Sequence, residues 1–191
     1  RSNLRQITHT FDHTFWNMPN PINAYWAGEL AADGALINFK KKNITMVLQL
    51  AVAESDIAHV YEFKAAIKYS GPIKTYDHVC SLSKYGTKSR ISYIRICQMW
   101  KCVDVLRDTW GIVPNKTHRL APPKLDNNIL RLCYLIGYID GDGSITADYN
   151  GGTINLTIAS SSKQIIEWFE ALFEEIFPFR LRARRGSLIM E

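Results

Sequence analysis

The stretch Leu132-Cys-Tyr-Leu-Ile-Gly-Tyr-Ile-Asp-Gly-Asp-Gly143 decides the reading of this chain, because the chain carries it twice. The earlier copy is Ala24-Tyr-Trp-Ala-Gly-Glu-Leu-Ala-Ala-Asp-Gly34. Aligned on the terminal Asp-Gly, both copies keep a glycine five residues before the Asp and a small residue just before it. Gly28 and Ala32 are four residues apart, as are Gly137 and Gly141, so each pair falls on one helix face. Small residues at that spacing let two helix backbones approach closely. Each helix is expected to stop at its Asp-Gly, with Gly34 and Gly143 free to take positive φ. Asp33 and Asp142 then stand at helix C-termini that are already partially negative, and they repel each other if the helices pack. That arrangement favours a hard, oxygen-ligated cation, Mg²⁺. A single Asp-Gly would merely start a turn; two in matched context point to a shared task.

These residues resemble the paired motifs of the LAGLIDADG homing endonucleases, in the single-chain, two-repeat (pseudo-dimeric) form. Residues 26–34 and 135–143 fill the nine motif positions. Asp33 and Asp142 match the family's metal-binding acids, and Gly28, Ala32, Gly137 and Gly141 fall at its helix interface. Phe15-Trp16 leading into Ala24-Tyr25-Trp26 is similar to the lead-in of bacterial and phage members, as is Trp110-Gly-Ile-Val-Pro-Asn-Lys-Thr117 at the close of the first repeat. The chain departs from the motif at Glu29, where an apolar residue is usual, and at Ala31, which replaces the acid kept as Asp140.

Composition agrees with an interior. The chain has 191 residues, 47% of them apolar, enough to bury a sizeable core in one domain or two small ones. A net charge of +5 favours a polyanionic partner without saying which. No signal peptide is expected and no apolar run is long enough to span a bilayer, so no membrane partner is expected. Cys80, Cys97, Cys102 and Cys133 lack metal-binding spacing and read as reduced thiols. The expected setting is intracellular: bacterial or phage-infected cytoplasm, or an organelle. A first residue of Arg1 rather than Met reads as a start inside a longer gene product.

In order, residues 1–23 form a lead-in, 24–120 a first module, 121–129 a linker and 130–191 a second module. Hydrophobic alternation predicts strands over 35–39 and 44–52, with Met46, Leu48 and Leu50 on a buried face and Val47, Gln49 and Ala51 on an open one. A helix follows over 54–68, with Ile57, Val60, Tyr61, Ala65 and Ile67 inward. Strands over 73–79 and 91–96 and a helix over 99–110 complete the first module. The second repeats the pattern: strands 144–149 and 153–159 around Asn150-Gly151-Gly152, helix 163–177, then strands 179–184 and 187–190. The fold class is α+β, two pseudo-symmetric αββαββ(α) modules. The second module stops short of its last helix, either because the repeat is minimal or because its C-terminal end was removed. The resemblance implies curved antiparallel sheets forming a DNA-binding saddle, with the motif helices at its centre.

Hydrogen-bonding side chains sit at the open strand positions: Asn38, Lys40, Thr45, Gln49, Lys74, Tyr76, His78, Tyr93 and Arg95, then Ser144, Thr146, Asp148, Asn155 and Thr157. Arg180, Arg182 and Arg184 alternate along one strand. Antiparallel ribbons with such side chains fit the DNA major groove, while Lys40, Lys41, Lys42, Lys84, Lys88 and Arg90 suit phosphates. Each residue singly reads as well as a solvated position; for the set, the resemblance, with its two saddle-like sheets, implies double-stranded DNA. The resemblance implies phosphodiester hydrolysis at a long target site, leaving short 3′ overhangs, in support of homing by an intron, intein or free-standing gene. It assigns Asp33 and Asp142 to Mg²⁺, with Mn²⁺ also serving and Ca²⁺ as a non-catalytic substitute, and needs no protein partner. The family keeps a basic residue near each site, and Lys116 lies where the first belongs. It reads equally as a loop lysine touching phosphate. Two alternatives stay open: a maturase binding structured intron RNA, and a non-cleaving DNA-binding regulator.

Overall fold

Two copies of one element sequence make up the fold. The first runs α1 (Pro21–Ala32), β1 (Ala35–Phe39), β2 (Thr45–Ala53), α2 (Ile57–Ala66), β3 (Lys74–Val79), β4 (Lys88–Cys97) and α3 (Val103–Asp108). The second runs α4 (Asn128–Asp142), β5 (Gly143–Asp148), β6 (Thr153–Ala159), α5 (Lys163–Ile176), β7 (Leu181–Arg184) and β8 (Ser187–Met190). The computed structural model describes residues 9–39, 45–79, 88–148, 153–176, 181–184 and 187–190. Each module holds a four-stranded antiparallel sheet with the same strand order, β1-β2-β4-β3 and β5-β6-β8-β7. The chain is thus α+β, built from two modules of one topology.

Local chemistry sets the motif helices. The Asn20 side-chain oxygen accepts from the N–H groups of Ile22 (3.0 Å) and Asn23 (3.1 Å), and the Asn23 side chain accepts in return from the Asn20 N–H (2.7 Å). This reciprocal cap satisfies donors that a helix start leaves free, and Pro21 has no N–H to lose there. The Asn23 amide also donates to the carbonyls of Phe15 (2.7 Å) and Met18 (2.8 Å), which ties the lead-in to α1. Asn127 caps α4 through the Ile129 N–H (2.7 Å).

The two motif helices pack backbone against backbone. A Cβ added to Gly28 would stand 1.9 Å from the Tyr134 carbonyl oxygen, and one added to Gly137 would stand 1.9 Å from that of Tyr25. One at Gly141 would meet the Ala32 Cβ at 2.5 Å. The small residues are therefore steric requirements of the crossing. Around it α1 is enclosed, with Ala24, Trp26, Ala27 and Leu30 all buried.

The Asp-Gly glycines differ from expectation. Gly143 is extended (φ −92°, ψ 163°), and the described glycine with positive φ is Gly111 (φ 72°), in the segment that closes the first module. Gly34 and Gly143 are instead constrained by the preceding helical turn. A Cβ on Gly34 would stand 2.6 Å from the Leu30 carbonyl oxygen, and one on Gly143 2.4 Å from that of Ile139.

Each sheet covers its core with a helix. Leu36, Leu48, Leu50, Ile94 and Ile96 share that core with Val60, Phe63 and Ile67 of the α2 segment. The inward row of α2 differs from the expected one: Tyr61 is 56% exposed and Ala65 also faces out. At 100° per residue, Val60, Phe63 and Ile67 make one stripe, and the large Phe63 ring sets its phase. Val47 is buried as well, although it points away from Leu48 and lies outside the main core. In the second module Ile165, Phe169, Leu172 and Phe173 form the buried stripe of α5. Cys97, Cys102 and Cys133 are free thiols, respectively exposed, buried and half-buried. Among the described residues no helix is long and apolar enough to cross a membrane.

Gly28→Ala or Gly137→Ala should cost about 3 kcal/mol or more, because a methyl cannot enter without separating the helices. Ile136→Ala on the same pair of helices, at a side chain 51% exposed, should cost less than about 1 kcal/mol. Urea unfolding followed by tryptophan fluorescence compares the two; equal losses would refute the tight crossing.

Candidate metal centre and nucleic-acid interface

The tight crossing carries both motif acids to one end of the helix pair. Asp33 caps α1, its N–H bonded to the Glu29 carbonyl (2.9 Å), and Asp142 is the last residue of α4. Between them lies Gly141, whose Cβ position is 3.5 Å from the Asp33 Cγ. Lys116 approaches from a short 3₁₀ turn (Lys116–His118) that begins at left-handed Asn115 (φ 56°). Its ammonium donates to the carbonyls of Ala31 (2.6 Å) and Ala32, acceptors that the end of α1 leaves free.

The electrostatics of this corner are in tension. Surrounding protein atoms push the Asp33 carboxyl above its ordinary value, and Glu29 and Asp142 push it further; Lys116 and His59 oppose this. The same enclosure raises Asp142, opposed by Lys116. Lys116 itself is lowered by burial, with Asp142 and Asp33 holding it up. One ammonium therefore serves two carboxylates.

A cleft opens on each side of the helix pair. One, of about 530 Å³, is lined by Asp142, Lys116, Tyr138, Ala159 and Ser160. The other, of about 660 Å³, is lined by Asp33, Glu29, His59, Glu62, Asp140 and Ala53. Lys116 thus lies in the cleft of Asp142, while its charge reaches both acids. Among the described residues no three His, Cys, Asp or Glu side chains converge as a metal cage. The carboxylates of Asp33 and Asp142 are the oxygen donors that would fit a hard divalent cation, which takes one or two carboxylates and completes its shell with water and phosphate oxygens.

Two polar pairs beside the acids escaped sequence reasoning. Glu29, 2% exposed, holds its Oε1 3.2 Å from Nε2 of His59, and this hydrogen bond raises the His59 pKa. Tyr25 donates its hydroxyl to Oδ2 of Asp140 (2.7 Å), which ties the two helices together. A carboxylate in an apolar helix was the signal for Glu29; nothing in the spacing linked it to His59.

Register decides which strand residues share a face. Gln49 pairs with Arg95, and Tyr93 pairs with both Ala51 and Lys74; Tyr76 and His78 lie in the same alternation on β3. Arg95 donates to the Gln49 oxygen (3.0 Å from Nε) and its guanidinium lies 5.4 Å from the Tyr93 ring centre. The Tyr93 and Tyr76 rings are 5.6 Å apart. Gln49, Lys74, Tyr76, His78, Tyr93 and Arg95 therefore form one polar and aromatic patch. Two expected members fall elsewhere. Asn38 pairs with Met46, on the face of Leu36, and lines a cleft with Asn115 and Arg119. Arg90 also belongs to the opposite face, where it pairs with Glu54 (3.1 Å) and Asp77 (3.5 Å). Period-two alternation explains both: Arg90 is three residues from Tyr93 on β4, and Met46, the partner of Asn38, is three from Gln49 on β2.

On β5 and β6, Ser144 pairs with Thr157 and Thr146 with Asn155, and Asp148 follows in the same alternation. Arg182 and Arg184 occupy β7, in the rows of Ile189 and Ser187 on β8. The side chains of Thr45, Lys88, Asp148, Arg182 and Arg184 lie outside the described residues, as do Lys40, Lys41, Lys42, Lys84 and Arg180 entirely.

Residues 130–185 match the model of the LAGLIDADG-like domain. The fold is that of the LAGLIDADG homing endonucleases. The homing endonuclease I-WcaI bound to its DNA recognition sequence superposes with a TM-score of 0.59 at 16% identity, over 91% of this chain and 76% of that one. A variant of I-DmoI in complex with its target DNA in the presence of manganese gives 0.50 at 13% identity, over 89% and 85%. Full-length WhiA from Thermotoga maritima gives 0.52 at 12% identity, over 94% of this chain and 54% of that one. No curated protein sequence matches significantly. The LAGLIDADG likeness thus rests on the sequence of the second repeat and on the backbone fold of most of the chain.

Both motif acids keep their protons longer in the folded chain than in the unfolded one. Stability of the metal-free protein should therefore fall as pH rises from 3.8 through their raised pKa values, and stay lower above them. Lys116 acts in the opposite sense: stability rises as pH climbs through its lowered pKa toward 10.5. Asp33→Asn and Asp142→Asn should each flatten the acid-side fall and raise the neutral-pH melting temperature in EDTA. A melting series from pH 4 to 9 tests this, and a lower midpoint in both variants would contradict it.

Proposed function

We propose that this protein is a site-specific DNA endonuclease that makes a divalent-metal-dependent double-strand break and supports homing of a mobile intron, intein or free-standing gene. The observation that carries this reading is the meeting of Asp33 and Asp142 at one end of the helix crossing, each opening onto its own cleft. Two acids related by the repeat suit two cuts, one on each strand. The DNA-bound structures that share the fold add support.

Asp33 and Asp142 would hold the metal. Bound there, Mg²⁺ or Mn²⁺ would supply Lewis acidity to the scissile phosphate and a more acidic water. Lys116, fixed by the last carbonyls of α1, keeps a positive charge between the carboxylates and the incoming phosphates, where it offsets negative charge that grows in the transition state. Tyr138, donating to the Ala159 carbonyl (3.2 Å), secures the end of β6 beside Asp142. On the first sheet, Gln49 holds the Arg95 guanidinium for a purine edge, Tyr93 and Tyr76 flank it, and Lys74 reaches phosphate. The polar rows of β5 and β6 would serve the other half of the target, completing a saddle over the duplex.

Cleavage of a randomised duplex library with added Mg²⁺ should give discrete double-strand breaks that EDTA abolishes. Asp33→Asn and Asp142→Asn should each lower the rate about a thousandfold or more, and Lys116→Met about a hundredfold. Selective duplex binding without any cut would replace the enzyme with a regulator, and retention of structured RNA alone would replace it with a maturase.

Once a target is known, Arg95→Ala should cost about 1–3 kcal/mol and relax preference at one base position. Lys74→Ala should weaken all sequences alike and reduce the slope of log K against log salt by about 0.9. Binding titrations at several salt concentrations separate the two; a sequence-selective loss at Lys74 would reverse the assignment.

A further inference from the structure

The cleft of Asp33 holds a second carboxylate to which the chemistry above gives no task. Glu29 stands one helical turn before Asp33, on the same face of α1. Its residue is 2% exposed, its Oε1 is held by His59 at 3.2 Å, and its Oε2 is buried with no hydrogen-bond partner among the described residues. That free oxygen and the Asp33 carboxyl face one spot. The position of a Cβ on Gly141 is 3.4 Å from Glu29 Oε2 and 3.5 Å from Asp33 Cγ, and all three residues line the same cleft. A buried carboxylate oxygen with nothing to accept from is costly, and its usual completion is a water, an ion or a substrate.

The matching place in the second repeat is built differently. Tyr138 stands one turn before Asp142, and its hydroxyl is satisfied by the Ala159 carbonyl. Lys116 shares that cleft, so a carboxylate there already faces an ammonium. Across the crossing, the cleft of Asp33 collects Glu29, Glu62, Asp140 and His59, and Tyr25 already occupies Oδ2 of Asp140. The duplicated motif therefore yields two unequal half-sites. One holds Lys116 within its cleft, although the charge of that ammonium also reaches Asp33. The other leaves a buried oxygen open beside its motif acid.

We propose that Glu29 and Asp33 together form a divalent-cation site that loads one ion before DNA arrives, with His59 as the positioning residue that orients the Glu29 carboxylate. Oxygen donors from two carboxylates, completed by water, match the preference of Mg²⁺ or Mn²⁺. The cation neutralises the crowding of Glu29 and Asp33 and gives the open Oε2 its partner. Asp142, countered by Lys116, gains its ion only with the phosphate oxygens of bound DNA. This assignment rests on the metal-dependent reading given above and makes its two cuts inequivalent.

The test is a titration of the DNA-free protein with Mn²⁺, free ion read by electron paramagnetic resonance. One Mn²⁺ per chain is expected, at least tenfold tighter than any second. Glu29→Gln should weaken it about 10- to 100-fold, His59→Gln about tenfold, and Asp142→Asn less than threefold. Circular dichroism checks each fold. If Glu29→Gln does not fold, the contrast decides: Asp33→Asn must abolish the tight site and Asp142→Asn must keep it. Two equal sites, no binding without DNA, or unchanged binding in Glu29→Gln or in Asp33→Asn each overturn the proposal. Wild-type cleavage, assayed in parallel, keeps the two readings apart. Cutting with symmetric loading defeats only the unequal half-sites; tight Mn²⁺ binding without any cutting defeats the endonuclease.

Discussion

Everything distinctive in this protein depends on how closely α1 and α4 cross. The carbonyl oxygens of Tyr134 and Tyr25 lie 1.9 Å from where side chains of Gly28 and Gly137 would begin, so no other residue fits either place. Because the contact is reciprocal, it relates the two modules by a pseudo-twofold axis and lets each sheet approach from its own side. It also fixes the separation of the motif acids. Helices held further apart by larger side chains would move Asp33 and Asp142 apart with them.

That geometry carries an electrostatic cost, and the chain offsets it unevenly. Burial raises the proton affinity of both motif acids, and Glu29 and then Asp142 raise that of Asp33 further. Lys116 answers part of this by capping α1 from the linker side, using the carbonyls the helix cannot satisfy itself. Glu29 adds to it, and His59 answers Glu29. The corner therefore holds more acid than base, which is the imbalance the proposed metal site would use.

Around this centre the sheets present side chains by strict alternation. The patch formed by Gln49, Arg95, Tyr93, Tyr76, His78 and Lys74 draws on three strands, and only the register of β2, β4 and β3 brings it together. The same register removes Asn38 and Arg90, whose chemistry alone would have placed them with the others. Charge type is therefore a poor guide to which side chains share a sheet face, and parity along a strand is a good one.

By itself, the sequence determined the duplication, the element order and the position of both acids. These follow from local rules: a small residue every fourth position, a period of two in strands, a period near 3.6 in helices, and an Asp-Gly to end each motif. Element bounds came within a few residues for the same reason, as with β1 and β6. Other features were decided only by the tertiary structure. The inward stripe of α2 runs through Phe63 rather than Tyr61, because the sheet beneath selects the phase of the helix. The motif glycines avoid a clash with the previous turn instead of adopting left-handed backbone, which depends on how the strand leaves the helix. The Glu29–His59 pair joins residues from separate helices, and no spacing along the chain encodes it. Local periodicity fixes what each segment becomes; contact between distant segments fixes what each side chain meets.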